Sequence, residues 1–95
     1  MDIAEADNLL GQQLSKLRAL PYSELKRLVE GRSIQTPEAK GTSGIPYYME
    51  VQAFWDNRRD GNIRVIVSID DGGKSASHPR SRDFIKAPDE SFVDE

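Results

Sequence analysis

Two alternating runs joined by a turn limit this chain's fold more than any other feature. In the first, Tyr47, Met49, Val51, Ala53 and Trp55 point one way, and Tyr48, Glu50, Gln52, Phe54 and Asp56 the other. Asp56-Asn57-Arg58-Arg59-Asp60-Gly61 has the composition of a turn. Ile63, Val65, Val67 and Ile69 then alternate with Arg64, Ile66, Ser68 and Asp70, and Asp71-Gly72-Gly73 stops the strand. The pattern predicts a long antiparallel β-hairpin over residues 45–70. An isolated hairpin is marginal in water, so its apolar face needs a cover.

The cover is predicted upstream. Ile3, Ala6, Leu10, Leu14 and Leu17 recur at the period of one helical face, and Asp2, Glu5 and Asp7 sit where the N-terminal dipole favours anions. Leu20-Pro21 interrupts this helix, because the residue before a proline disfavours the α region. A second helix follows, with Ser23 as the expected N-cap, Leu25, Leu28 and Val29 on one side, and Gly31 as the expected C′ residue. The fold class is therefore α+β: an N-terminal helical pair packed on an antiparallel β-hairpin or small three-stranded sheet.

With 95 residues, the chain has room for one core. We expect a single domain over 1–95: a helical segment 3–30, a polar loop 32–44, the hairpin 45–70 and an irregular C-terminal segment 74–95. Within that last segment, Asp83-Phe84-Ile85-Lys86 could add a short third strand. Ser91-Phe92-Val93 would pack through Phe92, either on the domain generally or over the outer face of the sheet.

Composition narrows the chemistry. The chain has no cysteine, which removes disulfides, thiolate metal sites and cysteine nucleophiles. The acidic start Met1-Asp2-Ile3-Ala4-Glu5-Ala6-Asp7 has no apolar h-region, no run approaches a membrane span, and a cytoplasmic protein is expected. With 13 basic against 16 acidic residues, no stretch carries the basic excess that a nucleic-acid partner requires. Arg58-Arg59 and the group Arg80, Arg82 and Lys86 read as solvated loop charge.

Several motifs fall short on inspection. Gly72-Gly73-Lys74-Ser75 suggests a phosphate loop, but Ser68 stands where the first glycine belongs. Asp56 to Gly61 has the outline of a calcium loop, yet Arg58 and Val67 occupy ligand positions three and twelve. No cofactor and no metal ligand set is expected. Asp70, Asp71 and the single histidine, His78, lie near one strand end and could support a small-ligand or divalent-metal-dependent activity. His78 as a general base would need an orienting acid and a nucleophile beside it.

Nothing in the sequence rises above a compact domain with one candidate binding surface. Tyr48, Phe54 and Ile66 share the hairpin face turned away from the core, and exposed apolar patches of this kind mark protein contacts. The expectation is a non-catalytic protein-interaction module, with a protein partner or a second copy on that face or at an unpaired strand edge. The pieces Leu20-Pro21-Tyr22-Ser23-Glu24-Leu25, Trp55-Asp56, Asn62-Ile63-Arg64-Val65, Asp70-Asp71-Gly72-Gly73, Asp83-Phe84-Ile85, Pro88-Asp89 and Ser91-Phe92-Val93 together resemble small bacterial proteins of unknown function. That resemblance implies no activity and no site residues.

Overall fold

In the computed structural model, which describes residues 2–32, 34–73 and 80–95, two helices cover one face of a four-stranded antiparallel sheet. The elements are α1 (Ile3–Arg18), α2 (Tyr22–Gly31), β1 (Glu38–Lys40), β2 (Pro46–Trp55), β3 (Ile63–Asp70) and β4 (Arg80–Lys86), and the strands lie in chain order. No described helix is long and apolar enough to cross a membrane.

The predicted hairpin is the centre of the sheet. Met49 pairs with Ile69, Val51 with Val67, Ala53 with Val65 and Trp55 with Ile63. Of these inner-face residues, Met49, Val51, Ile63, Val65, Val67 and Ile69 are buried, while Ala53 and Trp55 are half-buried. Ala6, Leu10, Leu14 and Leu17 of α1 and Leu25 of α2 close the core over them. Each well-buried aliphatic or aromatic side chain contributes ~1.5–3 kcal/mol, which offsets the entropy of ordering so short a chain.

The ends of the helices differ from expectation in three places. Ile3, predicted on the inner stripe, is more than half exposed. Asp2 caps α1 by accepting from Glu5 N–H. Pro21, not Ser23, is the N-cap of α2, and having no side-chain acceptor it leaves that work to Glu90. The Glu90 carboxylate accepts the Tyr22 N–H at 2.5 Å from across the chain. At the other end the left-handed residue is Arg32 (φ 51°) rather than Gly31, which is still helical.

The segment expected as a loop, 32–44, carries the fourth strand. Gln35 and Val51 exchange both backbone hydrogen bonds, in the same register in which Glu38, Ala39 and Lys40 pair with Tyr48, Tyr47 and Pro46. That register places Pro37 opposite Met49, at a position where an N–H should donate and proline has none. One strand is thus split into a bridge and three residues. After it, Glu5 of α1 pins the turn: its carboxylate accepts Ser43 N–H, and a Cβ on Gly41 would overlap its Oε1.

The C-terminal segment is also more regular than expected. β4 runs over seven residues, of which only the last four stood out in the sequence. Its inner-face positions are Arg80, Arg82, Phe84 and Lys86, so alternation there is charged rather than apolar. Neither Arg80 nor Lys86 is solvated loop charge. Arg80 reaches Asp7 of α1 through two hydrogen bonds. Lys86 is 5% exposed and donates to the carbonyls of Arg18 and Leu20, supplying a cation to the C-terminus of α1.

Phe92 pairs with Lys86 in an isolated bridge, meets Phe84 edge-on at 5.8 Å and lies 4.0 Å beneath the Arg18 guanidinium. Phe84 and Phe92 therefore close the helix side of the domain and do not fold over the outer face of the sheet, whereas Ile85, paired with Arg64, is buried on the outer-face side.

Candidate protein-binding surface

The residues facing away from the helices are fixed by strand register. On β2 they are Tyr48, Glu50, Gln52 and Phe54; opposite them on β3 stand Asp70, Ser68, Ile66 and Arg64. Tyr48 is 60% and Phe54 40% exposed, and Ile66 is half-buried. All three sequence candidates thus lie on one face, but not in one patch. Tyr48 and Phe54 are six positions apart, ~20 Å along a strand, with Glu50 and Gln52 between on the same face.

At the Phe54 end, Ile66 sits diagonally across from Phe54, within reach for side-chain contact. Continuing the Gln35–Val51 register sets Ile34 beside Gln52 on the same face, and Ile34 is 55% exposed. Ile34, Gln52 and Phe54 line a groove of about 400 Å³ with Val29, Arg32 and Trp55. Ile34 was missed in the sequence because it falls in the segment read as loop. Arg64 flanks this end, bonded to Asp56 at 2.9 Å and to Asp83. The hydrogen bond that the guanidinium donates to Asp56, with the charges of both acids, raises its pKa further, so the arginine stays charged and is internally neutralised.

At the Tyr48 end the surface is concave. A groove of about 780 Å³ runs over β1 and β2 to β3, with Thr36, Pro37, Ile45, Tyr48, Glu50 and Asp70 in its lining. Gly72, at φ +77°, lets the Tyr48 ring lie directly on the turn: a Cβ there would come within 2.7 Å of the ring. Asp70 Oδ1 accepts the Gly72 N–H at 2.7 Å and Asp71 Oδ1 the Gly73 N–H at 3.0 Å. Both carboxylates thus shape the turn after β3. His78, the third member of the sequence-derived ligand or metal set, lies outside the described residues. Among the described residues no group of three or more His, Cys, Asp or Glu side chains is placed to hold a metal ion.

Compared with protein-family models, curated proteins and solved structures, the chain matches none.

Proposed function

We propose that the chain is a non-catalytic protein-interaction module that binds its partner through the outer face of the sheet. The observation carrying this reading is that Tyr48 and Phe54 stay exposed on a strand pair whose opposite face supplies the core, while Phe84 and Phe92, which could have covered them, turn to the helix side. Large aromatics on a sheet face contribute contact area at little conformational entropy, which suits them to anchor a partner.

The polar groups favour this reading over a ligand- or metal-dependent activity. Asp70 and Asp71 each accept a backbone N–H of the turn they stand in. An activity at that turn would show as a rise in melting temperature with a divalent ion, lost in Asp71→Asn.

The double variant Tyr48→Ser with Phe54→Ser tests the module. Neither side chain is in the buried core, so the melting temperature should stay near that of the wild type. Oligomer mass by light scattering, or partner capture from the native lysate, should fall. Unchanged mass together with unchanged capture would refute the proposal.

A further inference from the structure

We infer that the groove at the Tyr48 end takes an extended segment of a protein partner that presents an arginine or lysine side chain to Tyr48, Glu50 and Asp70; this rests on the protein-binding reading above. Two features of the site select that occupant, one through the backbone and one through the side chains.

The backbone feature is the edge of the sheet. β1 is the terminal strand, and its odd-numbered residues face β2, as the Gln35–Val51 exchange fixes. The N–H and C=O groups of Thr36, Glu38 and Lys40 consequently point to the open edge, where an added strand finds its hydrogen bonds. Side chains of an added strand alternate, so every second one would stand on the outer face beside the groove.

The side-chain feature is the balance of apolar wall and charge. On the outer face Pro46 and the Tyr48 ring offer apolar wall, and the ring is held in place by its seat on Gly72. Of the charged residues in the lining among those described, Glu50 and Asp70 are acidic and Lys40 is basic. A purely apolar occupant would desolvate two carboxylates that each hold a single hydrogen bond, Asp70 from the Gly72 N–H and Glu50 from Gln52, and an acidic one would add repulsion. A long cationic side chain lays its methylene stem along the wall and brings its head group to the ring face and the carboxylates. The Phe54 end offers no such selection, because Arg64 is already matched by Asp56 and Asp83.

The test is selection of random peptides on the full-length immobilised protein, followed by fluorescence anisotropy of the best peptide and of its citrulline analogue. Enriched peptides should share a basic residue. Replacing it with citrulline, or introducing Tyr48→Ala or Glu50→Gln, should weaken binding by about tenfold or more, while Gln12→Ala on the exposed side of α1 leaves it unchanged. Circular dichroism checks that each variant is folded.

Failure to enrich any peptide over the Tyr48→Ala/Glu50→Gln protein would overturn the inference, as would equal binding of the arginine and citrulline forms. Peptides whose amide shift perturbations centre on Ile34, Phe54 and Ile66 would overturn it while leaving the protein-binding reading intact. Self-association that depends on Tyr48 would also overturn it, by making a second copy the occupant. If neither end of the face binds peptide, partner or second copy, both readings fail.

Discussion

At Gly72 a single substitution would separate backbone strain from surface function. Its φ of +77° is one that side-chain-bearing residues rarely adopt, and an added Cβ would meet the Tyr48 ring at 2.7 Å. Gly72→Ala should therefore lower stability by about 1 kcal/mol and displace the ring, so that peptide binding at the groove falls even though no contact residue has changed. Thermal unfolding and anisotropy on the same sample measure the two effects. Lys86 is the corresponding residue on the helix side. Lys86→Met keeps the apolar stem but leaves the Arg18 and Leu20 carbonyls without their donor, and should cost about 1–3 kcal/mol in urea unfolding. A loss as small as that of an exposed surface lysine would mean that water replaces the ammonium there. Tyr48 and Phe54 were legible in the sequence because they interrupt the polar alternation of a strand. Ile34 was not, since a lone isoleucine among polar residues has no period to betray its face.

Among the elements, β2 and β3 were legible because strict alternation accompanies burial on one side only. β1 was hidden by Pro37, which breaks its ladder, and by its three-residue length. β4 was hidden for a different reason: Arg80, Arg82 and Lys86 occupy inner-face positions and leave no hydrophobic period to read, Arg80 reaching Asp7 of α1 and Lys86 the carbonyls of Arg18 and Leu20 at its C-terminal end. The C-terminal tail is a clasp joining the ends of both helices to β4. Glu90 caps α2, Phe92 packs against Phe84, and Glu95 makes a paired hydrogen bond with Arg18. Deleting residues 88–95 should destabilise the domain by about 2 kcal/mol or more, from loss of the Phe92 contact and the cap, read as a lower denaturant midpoint at unchanged core composition. The clasp also has a pH dependence. The hydrogen bond from Arg18 holds the Glu95 carboxyl below the usual range, so its contribution is present above the ordinary glutamate pKa and lost as pH falls through the depressed value. Glu95→Gln should melt below the wild type at neutral pH, and the gap should close on acidification below about pH 4. A gap that persists undiminished at low pH would mean that the carboxylate charge is not what holds the tail.

On the scale of the whole molecule, the sheet divides folding from recognition. Its inner face, with both helices and the tail, forms one continuous core, and every described buried polar side-chain atom there has a hydrogen-bond partner. Its outer face contributes exposed aromatics, two grooves and an open edge. The hairpin pattern implied that division from the start, but which face the tail would choose was not readable, because Phe84, Ile85 and Phe92 fit either side by composition. The most direct measurement places a photo-crosslinking phenylalanine analogue at Tyr48, at Phe54 and at Gln12, an exposed position on α1, in the cells that make the protein. Discrete protein adducts from positions 48 and 54, absent from position 12, are the result this account predicts. Adducts equally abundant at all three positions, or found only at position 12, would contradict it.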